Sequence, residues 1–188
     1  MATQQNGYTT VPHATYDEFR TYALTHGVDV DLLWGNQCWD ICALLWYQYG
    51  LSLITRPGGN GVAQDCWIIS REANAQPPFI MIENAEDIKR GDVLVFRASG
   101  AYTTGHIGFA DTDYRGNNIT VLGQNQGQGS SHGTPSNIVG WNLTTFLGAF
   151  RNTDWDSTPP TPPTPPFGGQ QSKFNWVLYA RKLRQKRV

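Results

Sequence analysis

The chain of 188 residues has few charged residues, only three cysteines and no long apolar segment. Charged residues make up 15% of it and apolar residues 39%, which predicts a folded core rather than a disordered chain. Three cysteines are an odd number in a chain too long to need cross-links, which argues against a secreted disulfide scaffold. The longest apolar run, Ile41–Tyr47, is far shorter than the roughly 20 residues of a membrane span. The polar N-terminus has no apolar signal-peptide core, so we expect no export signal.

Basic residues concentrate near the C-terminus, where residues 173–188 contain no acidic residue. The basic residues there are Lys173, Arg181, Lys182, Arg184, Lys186 and Arg187. The net charge of −1 therefore hides an acidic body with a basic tail. Because a nucleic-acid-binding domain carries basic clusters across its folded surface, this pattern argues against a nucleic-acid partner.

A proline-rich segment, Ser157–Gly169, divides the chain and contains six of its eleven prolines. Such a segment lacks backbone donors and apolar bulk, so it favours an extended polyproline conformation and acts as a spacer. The alternative is a proline-rich ligand for a partner protein. The sequence therefore predicts a folded domain over residues 1–156, a linker over 157–169 and a short aromatic, basic tail over 170–188.

The first part of the folded domain shows helical patterns and the second part shows strand patterns. Apolar residues recur with helical spacing at Cys38, Ile41, Cys42, Leu45, Trp46 and Tyr49. Asn36 is a candidate N-cap for this helix, Gly50 a candidate stop, and Tyr16–Leu24 predicts a shorter helix. Strands are predicted at Val93–Phe96, His106–Ala110, Ile119–Leu122 and Phe146–Arg151. Helices followed by strands indicate an α+β domain with an antiparallel sheet.

Three residues have the order and positions of a cysteine-based catalytic site. A thiol at the predicted helix start, Cys38, would meet the positive end of the helix dipole, which favours the thiolate. The unpaired N–H groups there, with the neighbouring Gln37, are candidate donors to an oxyanion. His106 opens an apolar strand and is a candidate base, and Asn125 on the next turn would orient its ring. The alternative for Cys38 is a small buried hydrophobic residue, the role expected for Cys42 and Cys66.

Four segments resemble the CHAP family of cysteine, histidine-dependent amidohydrolases and peptidases. They are Gly35–Asp40, Lys89–Phe96, Gly105–Phe109 and Leu122–Asn125. The resemblance covers roughly residues 14–152. It implies a papain-like α+β fold with N-terminal helices packed on an antiparallel sheet, and cleavage of amide bonds in peptidoglycan. It also implies that Cys38 is the nucleophile and that His106 is the general base and then the general acid.

The turn after the third predicted strand departs from a form found in relatives. Relatives with a Glu-Gln-Asn turn place a carboxylate where this chain has Gly123. Asn125 matches the asparagine of that turn and remains the candidate orienting residue. Asp111 and Asp113 are the alternatives if a carboxylate is required.

A second group of residues has the spacing of a calcium loop. Counted from Asp29, oxygen donors fall at positions 1, 3, 5, 7 and 12, the last four being Asp31, Leu33, Gly35 and Asp40. Leu33 and Gly35 would contribute backbone carbonyls. The resemblance also implies Ca²⁺ at this place, since some phage CHAP domains bind it just before the nucleophile. The alternative is a loop of solvated acids in which Asp40 favours the helix start. No Cys/His cluster has the ligand spacing of a zinc site.

The sequence thus predicts a phage-type endolysin, a peptidoglycan amidase or endopeptidase that uses a Cys-His thiolate mechanism on Gram-positive walls. Made in the host cytoplasm, it would reach the wall after holin-type release. The alternatives are a virion-associated lysin and a catalytically inactive wall-binding module. The tail is expected to contact anionic wall polymer, the membrane or a protein partner, or to be a disordered solubilising end.

Overall fold

The computed structural model describes residues 3–5, 8–10, 15–58, 61–127 and 135–156. The predicted linker over 157–169 and tail over 170–188 lie outside these residues. The helices are α1 (Tyr16–Thr25), α2 (Cys38–Gln48), α3 (Asp65–Ile68), α4 (Arg71–Asn74) and α5 (Thr153–Asp156). The strands are β1 (Thr3–Gln5), β2 (Tyr8–Thr10), β3 (Phe79–Ile82), β4 (Val93–Phe96), β5 (His106–Ala110), β6 (Asn118–Gly123), β7 (Asn137–Asn142) and β8 (Phe146–Asn152). Within the described ranges, no helix combines the length and apolarity needed to cross a bilayer.

Six of the strands form one antiparallel sheet, in the order β3-β8-β4-β5-β6-β7. β1 and β2 pair separately as an antiparallel hairpin. The central strand β4 pairs with β5 on one side and β8 on the other, and all four of its residues are buried. The prediction of an α+β domain with an antiparallel sheet is therefore confirmed.

The core between α2 and the sheet holds this helix in place. Every residue from Asp40 to Trp46 is buried, so α2 is surrounded on all sides rather than amphipathic. Trp46 stacks on Phe79 of β3, with ring centroids 3.9 Å apart and planes 6° apart. Val95 and Ile107 face the same core from β4 and β5. Burial of each large apolar side chain contributes about 1.5–3 kcal/mol, so α2 is anchored mainly by tertiary packing.

The opposite face of the sheet carries a second, smaller apolar cluster. Leu94 and Phe96 alternate with the α2-facing residues of β4, and Ala110 does the same in β5. Partly buried Trp141 of β7 packs on this cluster and stacks on Phe96, with centroids 4.8 Å apart. Trp141 also stacks on His106, so this second layer covers the first residue of β5 as well as its last, Ala110.

The patterns along the chain identified α2 and the central strands but not the sheet's edges. β3 and β7 are the two outer strands, and most of their residues are not fully buried, so their apolar alternation is weak. The N-cap of α2 is Gln37, one residue later than the predicted Asn36. Gly50 adopts a left-handed φ of 71° just beyond the helix, in line with its predicted role as a stop.

Candidate active site

Cys38 is the first residue of α2, and the backbone N–H groups of Ile107, Trp39 and Cys38 itself lie near its sulfur and favour the thiolate. Burial raises the pKa of the thiol more than these donors lower it, and the negative charge of Asp40 raises it further, to about 11. The thiol is therefore neutral near pH 7. Desolvation thus opposes the helix dipole at this position, and the thiolate of the sequence prediction belongs to the proposed reaction.

The start of α2 is fixed by a network around Gln37. The backbone N–H of Gln37 donates to Asp40 Oδ2 over 2.7 Å, and Val30 donates to Asp40 Oδ1 over 3.0 Å. Gln37 Nε2 donates to the Trp34 carbonyl over 2.8 Å. Because an amide nitrogen carries two hydrogens, this bond leaves one for another acceptor. Gln37 as an oxyanion donor stays a prediction.

His106 opens β5 and is 1% exposed, with its ring stacked on Trp141 at 4.6 Å and 9°. The ring of Tyr102 is tilted by 56° against that of His106, with the two ring centroids 5.1 Å apart. The preceding Gly105 has a φ of +76°, and a Cβ there would lie 2.6 Å from the Phe96 carbonyl, so the backbone entering β5 requires glycine. Burial lowers the pKa of His106 to about 4, against the opposing effect of its hydrogen bond to Gln126 Oε1. The imidazole is therefore neutral near pH 7.

The side chain that meets the His106 ring nitrogen is Gln126, with Nε2 and Oε1 2.9 Å apart. Asn125, the predicted orienting residue, instead donates from Nδ2 to Gln37 Oε1 over 3.0 Å. The pairing of β5 with β6 that motivated the choice of Asn125 is present. The turn then carries Asn125, at a left-handed φ of 50°, towards the start of α2. The structure thus brings Gln126, rather than Asn125, to His106.

The alternative carboxylates are held at the other end of β5. Asp111 pairs with Arg20 at 2.6 Å and accepts the Tyr16 hydroxyl at 3.0 Å. Asp113 accepts the backbone N–H of Arg90 at 2.9 Å. Both serve to attach neighbouring segments to the sheet, so neither is placed to orient His106.

A groove of about 750 Å³ runs along Cys38. One part of its wall is the loop before α2, where Leu33 is exposed and Trp34 is 84% exposed. Another part includes Arg56, which is paired with Asp65 at 3.0 Å, and Thr104, two residues before His106. The nucleophile candidate is therefore reachable by a substrate that lies along an open groove.

The three predicted calcium carboxylates come together beside the groove. Asp29, Asp31 and Asp40 each offer an oxygen, and these oxygens all lie within 4.8 Å of one another. Burial raises the pKa of Asp40 to about 7; two backbone N–H donors oppose this, and the charges of Asp31 and Asp29 add to it. Ligand oxygens lie about 2.3–2.6 Å from Ca²⁺, so two of them are up to about 5 Å apart. The donor set and its spacing fit such an ion.

Comparison with known proteins places this geometry in a family. The CHAP domain family matches residues 27–125, more than half of the chain, with Cys38, His106 and Asn125 inside the match. The chain belongs to the CHAP domain family. The predicted resemblance and the fold that it implies are thereby confirmed.

Two relatives of this CHAP domain are phage or lytic proteins. A D-alanyl-L-alanine endopeptidase of Streptococcus phage B30 is 31% identical over 119 residues, which are 61% of this chain and 25% of that protein. The crystal structure of the wild-type endolysin LysIME-EF1 matches with a TM-score of 0.53 and 25% identity, over 73% of this chain and 63% of that one. The chain thus spans about a quarter of the curated relative.

The sequence analysis did not identify three residues that surround His106, namely Gln126, Tyr102 and Trp141. Gln126 stands in a turn rich in Gly, Gln and Asn, where composition does not distinguish one amide from the next. The signal for Gln126 was indirect. Gly123 leaves His106 without the carboxylate of the Glu-Gln-Asn form, so another residue has to hydrogen-bond to its ring.

Proposed function

We propose that this CHAP domain is the catalytic part of a phage-type endolysin that hydrolyses an amide bond in Gram-positive peptidoglycan. The observation that carries the proposal is Cys38, at the start of α2, on an open groove and against the backbone next to His106. The phage B30 relative is named an endopeptidase and LysIME-EF1 an endolysin, which supports the substrate class.

In the proposed reaction, the Cys38 sulfur attacks the carbonyl carbon of the scissile amide while His106 takes the thiol proton. The carbonyl oxygen becomes an oxyanion, and the N–H groups at the start of α2, together with Gln37, are the donors that we propose for it. The C–N bond then breaks, and His106 gives its proton to the leaving amine. A thioester on Cys38 remains. Water hydrolyses it, with His106 again taking and returning a proton, and a carboxyl end is released.

The neutral states of both groups shape this mechanism. With the thiol pKa raised and the imidazole pKa lowered by burial, the resting pair is uncharged. Proton transfer therefore accompanies attack instead of preceding it. The backbone N–H groups around Cys38 would stabilise the negative charge that develops. Gln126 would hydrogen-bond to the imidazolium that forms on His106.

The bond that we propose as the target is a D-alanyl-L-alanine linkage, as in the name of the phage B30 relative. The alternative is the bond between the sugar lactyl group and L-Ala, which would make the protein an amidase. Digestion of purified peptidoglycan followed by mass spectrometry distinguishes them. The first cut leaves new D-alanine carboxyl ends on peptides that stay attached to the sugar, whereas the second frees sugar chains without peptides. Walls left without any new ends would overturn the proposal.

We also propose that Asp29, Asp31 and Asp40 hold Ca²⁺, with the backbone carbonyls of Leu33 and Gly35. The ion would offset the charge of three clustered carboxylates, two of them in the loop that leads into α2 and the third in its first turn. Its role would be structural, since Asp40 also caps the helix that carries Cys38.

The inactive wall-binding module is the rival from a different class. It rested on the absence of a carboxylate at Gly123, yet His106 has a buried hydrogen-bonding partner without one.

We propose release into the wall through a holin-type opening or from the virion, and contact of the tail at residues 170–188 with anionic wall polymer. Loss of turbidity in a suspension of Gram-positive cells separates lysis from binding alone.

A further inference from the structure

The side-chain amide of Gln126 is held in one orientation. Its Nε2 donates to the backbone carbonyls of Val121 and Asn137, both over 2.9 Å. These two bonds use both amide hydrogens, and the reversed amide would set its oxygen against two carbonyl oxygens. Oε1 is therefore the atom that faces His106, 2.9 Å from Nε2, in a pair whose residues are each 1% exposed.

This orientation determines the tautomer of His106. An amide oxygen only accepts, so Nε2 of His106 must carry the hydrogen of the bond. A neutral imidazole carries one hydrogen, and His106 is neutral because burial lowers its pKa to about 4. Nδ1 is then left with the lone pair that accepts a proton.

The space for Gln126 depends on Gly123. A Cβ at Gly123 would lie 2.9 Å from Gln126 Oε1 and 3.1 Å from the carbon of the same amide group. Any side chain at Gly123 would therefore push the amide away from His106. Gly123 leaves this turn without a carboxylate, and it also leaves the space that the Gln126 side chain occupies.

We propose that Gln126 is the positioning residue of His106, filling the third role that a carboxylate at position 123 or Asn125 would otherwise fill. The proposal rests on the proposed function of Cys38 and His106. Gln126 keeps the hydrogen on Nε2 and the lone pair on Nδ1, and it keeps its bond to Nε2–H when Nδ1 is protonated. As a neutral group, it stabilises the imidazolium less than a carboxylate would.

The test compares Gln126→Ala and Gln126→Glu with Gln124→Ala. Gln124 is a matched control because it is a buried amide on the same turn that bonds to Val28 and Gln37, away from the His106 ring. The readouts are kcat and KM on soluble cross-linked wall fragments, the pH profile, and ¹⁵N NMR of His106 for the tautomer. Tyr102 and Trp141 pack on the ring and stay unchanged in all three variants.

We expect the Nε2–H tautomer in the unmodified protein. Gln126→Ala should lower kcat at least about tenfold with little change in KM and give a mixture of tautomers. Gln126→Glu should keep Nε2–H, recover activity and move the acidic limb of the profile to higher pH, because a carboxylate raises the pKa of His106. Gln124→Ala should lower Tm and leave the tautomer unchanged.

An Nδ1–H tautomer in the unmodified protein would overturn the proposal, and so would an unchanged kcat in Gln126→Ala. If Gln126→Ala does not fold, Gln126→Glu and the spectrum of the unmodified protein decide the question. The NMR result does not depend on catalysis. A failure of the proposed function, seen as full activity without Cys38, is therefore distinguishable from a failure of this inference.

Discussion

The sulfur of Cys38 lies near the backbone N–H of Ile107, the residue that follows His106 in β5. The start of the buried helix α2 and the start of β5 thus lie next to each other. Both elements are rigid parts of the core, so the proposed nucleophile and base are positioned by packing rather than by a loop. The same burial leaves both groups uncharged at rest.

Activity should persist to an unusually low pH before it declines. Neutral His106 is the active form, and burial lowers its pKa from 6.5 to about 4. We expect kcat/KM to stay level as pH falls through 6.5 and to decline only as pH approaches about 4. The measurement is kcat/KM on a soluble wall fragment across that range; an ionisation near 6.5 in the free enzyme would contradict it.

The same shift predicts how stability depends on pH. Between 6.5 and about 4, the unfolded chain binds a proton at His106 that the folded chain does not. The contribution of His106 to the free energy of unfolding is therefore complete above 6.5 and is lost as pH falls towards 4. Replacing His106 with Gln should flatten this part of the curve in urea titrations.

Removal of calcium should lower both Tm and activity. An ion bound only to the folded state adds about 2.7 kcal/mol at 100 times its Kd. We expect EDTA to lower Tm and lysis, Ca²⁺ to restore both, and Mg²⁺ to do so poorly because it requires tighter octahedral geometry. Asp31→Ala should have the effect of chelation, whereas Glu83→Gln, which removes an exposed charge elsewhere, should not. Calorimetry without Ca²⁺ binding at millimolar concentration would return these aspartates to the alternative of a solvated loop.

Loss of Arg151 should destabilise the fold strongly. Arg151 donates from Nε and from an Nη to the two carboxylate oxygens of buried Asp92, both over 2.8 Å. Arg151→Met leaves that charge buried without its cation, at a cost of about 3–5 kcal/mol. Glu72→Gln, which breaks the exposed pair with Arg71, should cost much less, because solvent screens that pair. Urea unfolding of the two variants checks the difference, and equal losses would contradict it.

Truncation after Ser157 should separate wall attachment from catalysis. The removed part contains all six basic residues of the tail. We expect unchanged turnover of soluble fragments and weaker lysis of whole cells, most clearly at low salt, where charge attraction is least screened. Equal lysis by both forms at every ionic strength would show that the tail does not bind the wall.

The sequence predicted those parts of the site that depend on local pattern. The apolar spacing of α2 and the runs in β4 and β5 placed Cys38 and His106 at the starts of buried elements. The ionisation of Cys38 was not predictable, because the helix dipole is local whereas burial comes from the whole core. Gln126 was not predictable either, since its role depends on a turn geometry and on the open space at Gly123.

The most direct test of the account is the paired replacement of two cysteines in the same helix. Cys38→Ala should fold normally and lose peptidoglycan cleavage by at least about a thousandfold, because members of such a site act as a unit. Buried Cys42→Ala should keep its turnover number and lose only packing stability. Cleavage is measured as new amino ends released from purified walls, with Tm as the folding control. Undiminished release by Cys38→Ala would contradict the account.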